Sequence, residues 1–218
     1  MLTRPQFDAA CTALISKYSN LKDDSPAVHA LQDWSWNEHR KISGFGFMSR
    51  TVIYTRRSKT ASTDDLCVDE FEEAFPDDDD ANLSTPSIPE ISILQQYVVL
   101  SATFCVPTFY FSLHDSTGCP LGLGDILKSP LFRHFVLEGT EVTAFGITRP
   151  ESSFPLISQG DHPTLGTPCW YLHPCGTSEC VEEVMSEVDR TGWTEELRLV
   201  RWLEAWFMAV GSALNFRL

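Results

Sequence analysis

Apolar residues recur every three or four positions at both ends of the chain, and alternate or run together in its middle. Near the amino terminus Phe7, Ala10, Cys11, Leu14 and Tyr18 share one helical face, and Pro5 suits a first helical turn, so residues 5–19 are predicted to form an amphipathic helix. Near the carboxy terminus Leu197, Val200, Leu203, Trp206, Phe207, Val210 and Leu214 keep the same period. Thr194 offers an N-cap there, and Glu195 and Glu196 complement the positive end of the helix dipole. Between these ends the period changes. Trp34/Trp36 and Phe45/Phe47 alternate and Thr51 to Thr55 is β-branched and aromatic, which predicts two adjacent strands in a hairpin. Tyr97 to Val106 and Thr108 to Leu113 read as two further strands divided by Pro107. A short helix is expected from near Asp125 to Pro130, and 131–150 follows neither period. The stretch around 158–176, rich in proline and glycine, reads as a long irregular segment, followed by a helix over Glu179 to Val188 that Thr191-Gly192 ends. Helix, antiparallel strands, irregular segment and closing helices make an α+β fold.

Length and composition bound this picture. A chain of 218 residues with 43% hydrophobic content, 14 Phe and 6 Trp builds one core, so residues 1–218 are read as a single domain. The net charge of −14 is local: 11 of the 30 carboxylates fall in residues 60–90, where there is no Lys or Arg. The remaining 19 against 16 basic residues leave only −3. Residues 59–90 are therefore expected to be an acidic, disordered insert in a near-neutral globule. Arg56, Arg57 and Lys59 are the nearest thing to a basic cluster, so nucleic acid is not an expected partner. The amino terminus lacks an apolar leader core and no 18-residue apolar run occurs, which points to a cytosolic chain without stable membrane insertion. Seven unevenly spread cysteines are expected to stay reduced.

The candidate chemistry lies in Leu172-His173-Pro174-Cys175, which sets a thiol after a rigid X-Pro step and just ahead of a predicted helix. An ordinary thiol is only a few per cent thiolate at neutral pH. Imidazoles, backbone N–H groups or a helix start, capped by Thr177 or Ser178, would raise that fraction. Three other readings compete. His162, Cys169, His173, Cys175 and Cys180 offer soft metal ligands, but at spacings that fit no structural zinc framework. A papain-like protease would need a histidine after its cysteine, and none follows Cys175. Cys175 as a small packing residue is the bland alternative, one that suits Cys11, Cys105 and Cys169 by their neighbours. His162 and His173, each followed by Pro, equally suit structural turns.

The run Gln159-Gly160-Asp161-His162-Pro163-Thr164-Leu165-Gly166-Thr167-Pro168-Cys169-Trp170-Tyr171-Leu172-His173-Pro174-Cys175 resembles the signature of the autophagy-related protein 10 family. Its members are E2-like enzymes. The likeness extends to Tyr97–Leu113, Asp125-Ile126-Leu127, the acidic insert and the Trp202-Leu203 helix, with Cys169 standing where an aromatic is the rule. It implies an E2-like core, with an antiparallel sheet packed against amino- and carboxy-terminal helices. It further implies that Cys175 carries the ubiquitin-like autophagy-related protein 12 as a thioester. An E1-like activating enzyme, autophagy-related protein 7, would supply it, and a lysine of autophagy-related protein 5 would accept it during autophagosome formation. His173 and Pro174 would hold the loop, His162 would support it, and Ser158, Gln159 or Tyr97 would supply a polar group at the oxyanion. No metal or organic cofactor is implied, since the E1 consumes the ATP. The alternatives that stay open are the sister enzymes that lipidate autophagy-related protein 8, which share H-P-C, and a silent E2-like binding module. One expectation tests the charge pattern alone: deleting residues 60–88 leaves the fold intact, whereas strong hydrogen-exchange protection within them would contradict a disordered insert.

Overall fold

A computed structural model describes the chain except residues 20, 22–24, 40, 58–88, 151, 153, 217 and 218. The expected disordered insert thus lies outside the described residues, apart from Pro89 and Glu90, which open a strand. Five helices are described: α1 (Arg4–Tyr18), α2 (Pro26–His29), α3 (Leu123–Leu127), α4 (Thr177–Ser186) and α5 (Glu195–Gly211). The strands are β1 (Ser35–Asn37), β2 (Phe47–Arg57), β3 (Pro89–Leu100), β4 (Pro107–Asp115), β5 (Glu141–Thr143), β6 (Gly146–Thr148), β7 (Pro155–Asp161) and β8 (Pro168–Leu172). They form one antiparallel sheet in the order β1-β2-β3-β4-β8-β7-β6-β5.

Strand alternation gives this sheet two unlike faces. Met48, Leu94, Val98, Phe109, Phe111, Trp170 and Leu172 belong to the main core, which they share with α1, α4 and α5. Their intervening neighbours Phe47, Tyr97, Val99 and Cys169 form a second, smaller cluster on the open face. Burying each large side chain of the main core stabilises the fold by about 2 kcal/mol.

The α+β architecture agrees with the hydrophobic pattern. In α1, Thr3 and Gln6 form a reciprocal capping box, and the buried residues are the five that the period selects. In α5 the Thr194 hydroxyl accepts from the Leu197 N–H at 3.2 Å, as its N-cap role requires. The buried stripe begins at Leu199, however, and Leu197 itself is exposed. Glu204 lies inside that stripe. Its carboxylate accepts from Lys17 Nζ at 2.6 Å, the Tyr18 hydroxyl at 2.8 Å and Arg201 at 3.0 Å, tying α5 to the end of α1.

Three expectations need correction. The strand predicted to Val106 ends at Leu100, and 101–106 is a tight turn in which Cys105 takes a left-handed φ of 52°. Cys105 is consequently exposed rather than packed, while Cys11 and Cys169 are buried. The supposedly irregular segment is the β7–β8 hairpin. Its composition hid it, because Pro168 opens β8 where no ladder N–H is needed, and Gly160 leaves space for the Tyr171 ring, which a Cβ would approach to 3.1 Å. The ambiguous 131–150 stretch holds a 3₁₀ turn and the short β5–β6 hairpin.

Arg50 on β2 ties the layers together. Its guanidinium donates to Gln96 Oε1 at 2.9 Å and to the carbonyls of His29 at 3.0 Å, Gln32 at 3.4 Å and Phe216 at 3.2 Å. It also lies over the rings of Trp34 and Phe216. Burial pulls its pKa down to about 10, which still leaves it charged at neutral pH. Replacing Arg50 with Ala strands one side-chain and three backbone acceptors, and should cost about 3 kcal/mol of stability, read from the urea midpoint.

Candidate active site

The Cys175 turn is built at one end of the sheet. β8 ends at Leu172, and the His173 N–H still pairs with the Leu156 carbonyl at 3.0 Å, so the chain leaves the sheet only at Pro174. The Thr177 N–H then donates back to the Pro174 carbonyl at 3.2 Å, and the Thr177 hydroxyl donates to the same oxygen at 2.7 Å. Gly176, with φ 79° and ψ −15°, takes the third position of this turn. A type II turn requires a left-handed residue there, which accounts for glycine immediately after the thiol. Neither Thr177 nor Ser178 caps α4, contrary to expectation: Gly176 occupies the cap without a side-chain bond, and Thr177 is the first helical residue.

The turn leaves Cys175 exposed beside the amino-terminal end of α4, while Pro174 is buried beneath it. His173 Nδ1 accepts the Cys175 N–H at 3.3 Å, so the imidazole braces the turn through the backbone. Partial burial holds the His173 pKa below its ordinary value, and the ring stays neutral and able to accept. Two aromatics that sequence reasoning did not select surround it. Phe154 stacks on His173 with centroids 5.3 Å apart and an interplanar angle of 21°, and Phe104 meets it edge-on at 5.7 Å. Phe104 falls within the strand predicted over Tyr97 to Val106 but sits in the 101–106 turn, and Phe154 lies between the 131–150 stretch and the segment from 158, where no element is predicted. Their only sequence signal was an aromatic beside a turn.

The other expected residues lie elsewhere. Tyr97, Tyr110, Tyr171 and Ser158 are register partners in one row across the open face, with Tyr171 linking the row to His173 at 6.4 Å between rings. Ser158 thus lies opposite Tyr171, four residues before the thiol, a span of about 13 Å in an extended strand. The Tyr97 hydroxyl donates to Gln95 Oε1 at 2.6 Å, and burial raises its pKa. Gln159 pairs with Trp170 and so shares the opposite side of the sheet. The structure brings His173 and Pro174 to Cys175, but not Gln159 or His162.

His162 has a different task. Its ring is fully buried in the loop that closes the β7–β8 hairpin, beyond the Asp161–Pro168 rung, at the other end from Cys175. Nδ1 accepts two backbone N–H groups, from Thr164 and Leu165, both at 3.1 Å, which assigns the proton to Nε2. Nε2 has no hydrogen-bond partner among the described residues. The rings of Phe47 and Tyr97, each 4.7 Å away, and Tyr110 at 5.8 Å enclose it instead. Thr164 fastens the same loop to the Phe45 carbonyl at 3.0 Å. His162 is therefore a neutral plug that folds the hairpin loop over the open face.

Helices behind an antiparallel sheet, and a thiol held outward by an H-P-C turn at a helix start, are the features of an E2-like transferase. Residues 6–218 match the family model described as autophagocytosis associated protein, active-site domain, and the chain belongs to that family. It is similar to the ubiquitin-like-conjugating enzyme ATG10 of Arabidopsis thaliana, with 23% identity covering 100% of this chain and 92% of that protein. It is also similar to the human protein of that name, 26% identical over 85% of this chain and 80% of the relative. The Dictyostelium discoideum one is 27% identical over 59% of this chain and 53% of its own length. Among the described residues no helix is long and apolar enough to cross a membrane.

The buried plug predicts a pH dependence. Desolvation lowers the His162 pKa from 6.5 to about 4. Below pH 6.5 the unfolded chain takes up a proton that the folded protein refuses until about pH 4, so stability falls as pH drops through that window. Between pH 7 and pH 5 this residue should remove about 2 kcal/mol, measured by urea unfolding, and His162→Gln should flatten that part of the profile.

Proposed function

We propose that Cys175 carries a ubiquitin-like protein as a thioester and passes it to a lysine, and that the pair served is autophagy-related protein 12 and autophagy-related protein 5. The observation that carries this reading is the outward thiol of the His173-Pro174-Cys175-Gly176 turn. In the first step the Cys175 thiolate attacks the thioester held by an E1-like enzyme, autophagy-related protein 7. A new C–S bond forms to the terminal carbonyl, and the E1 thiolate leaves. In the second step the lysine amine attacks that carbonyl, the C–N bond forms, the C–S bond breaks, and Cys175 departs as thiolate while the amine proton passes to solvent. Cys175 stands immediately before Gly176, the cap of α4, so the reacting carbonyl is brought to the end of the helix where N–H groups gather. The Cys175 N–H to His173 bond fixes the turn through the cycle. Membership of an active-site-domain family and similarity to the ubiquitin-like-conjugating enzymes ATG10 support the same assignment.

Cys105, Cys119 and Cys180 are also exposed and are the natural controls. Incubation with the E1, the ubiquitin-like protein and ATP should give an adduct that thiol reductants release. Cys175→Ala should abolish it, Cys175→Ser should trap a reductant-resistant oxyester, and Cys105→Ala, Cys119→Ala and Cys180→Ala should each retain it. A reducible adduct on Cys175→Ala would refute the assignment.

A further inference from the structure

We propose that Phe104, Phe154 and His173 form an aromatic platform that receives the side chain of the acceptor lysine on its way to Cys175. The inference rests on the thioester reading above and names the surface that second step uses. Phe104 and Phe154 reach His173 from separate elements, the β3–β4 turn and the residues leading into β7, and their rings lie 5.7 and 5.3 Å from its own. Both remain open to solvent, at 40% and 55% exposure, despite belonging to a protein with a large aromatic core. The Phe104 turn is not a loose end. The Leu2 N–H donates to the Cys105 carbonyl at 2.8 Å, and Leu2 is buried in the main core.

The charges on α4, the helix that follows Cys175, favour a cation. α4 begins two residues after Cys175 and carries Glu179, Glu182 and Glu183, with no Lys or Arg between Thr177 and Ser186; Glu182 pairs with the amino-terminal ammonium at 3.5 Å, which leaves Glu179 and Glu183 in excess. An approaching ammonium meets carboxylates at a distance and ring faces at contact, and its alkyl stem lies flat against apolar surface. Leaving water beside the rings favours the neutral amine, whose proton goes to solvent before it attacks the thioester carbonyl. The tail of the ubiquitin-like protein arrives as a thioester, so its end carries no charge for the carboxylates to attract. That asymmetry selects the lysine over the tail of the ubiquitin-like protein as the occupant.

The test separates holding a lysine from shaping the turn. The full chain is charged on Cys175 with E1, ubiquitin-like protein and ATP, the ATP is removed, and discharge is timed with free L-lysine or with hydroxylamine, which has no alkyl stem. For Phe104→Ala and Phe154→Ala, the ratio of lysine-driven to hydroxylamine-driven discharge should fall by about fivefold, and Phe154→Tyr should restore most of it. An unchanged ratio overturns the platform, as does an equal loss with both nucleophiles, since the rings would then act only on the shape of the turn. An adduct that forms elsewhere than Cys175 overturns the thioester reading, and the platform with it, before any amine is added.

Discussion

Two rungs of pairing, Tyr110 with Tyr171 and Phe111 with Trp170, join β4 to β8 and so attach the thiol-bearing hairpin to the rest of the sheet. By contrast, β2 and β3 are paired over ten positions and β3 and β4 over nine. Hydrogen bonds alone would make a weak seam, at about 1 kcal/mol net for each bond. Side chains carry it instead. Phe111 and Trp170 bury themselves in the main core, Tyr110 and Tyr171 pack on the open face with centroids 5.3 Å apart, and each large aromatic adds about 2 kcal/mol or more. The direction in which β8 delivers Pro174 and Cys175 follows from that seam.

The two histidines of the hairpin divide the labour of holding it. His162 locks the loop end by burying a neutral ring among Phe47, Tyr97 and Tyr110. His173 locks the opposite end by accepting the Cys175 N–H while Phe104 and Phe154 flank its ring. Both act as acceptors through Nδ1, and in both burial favours the neutral form. The thiol turn is thus positioned by backbone geometry and ring packing, with the sulfur itself left open.

Much of this was legible in the sequence, for identifiable reasons. α1 and α5 declared themselves because a helix that buries one face must repeat its apolar residues every three or four positions, as Phe7 to Tyr18 and Val200 to Val210 do. For the H-P-C run, residue types alone left a nucleophile, a metal ligand, a protease cysteine and a packing residue open, and the longer motif's resemblance to a family is what narrowed them. The β7–β8 hairpin was hidden because its glycines and prolines serve packing and strand entry, as Gly160 does for the Tyr171 ring, and they mimic the composition of a loop. The 101–106 turn was hidden because Phe104 and Cys105 look like strand residues, whereas the turn needs a left-handed backbone at Cys105 that no residue type there announces. Distance along the chain misled in the other direction. His162 is close to Cys175 in the motif, yet a hairpin separates its two ends, and only the register places them apart.

The most direct test of the account is to digest the charged protein under non-reducing, mildly acidic conditions and map the thioester by mass spectrometry. The account predicts the carboxy-terminal peptide of the ubiquitin-like protein on the peptide that contains Cys175. The same mass on a peptide containing Cys105, Cys119 or Cys180 but not Cys175 would contradict it.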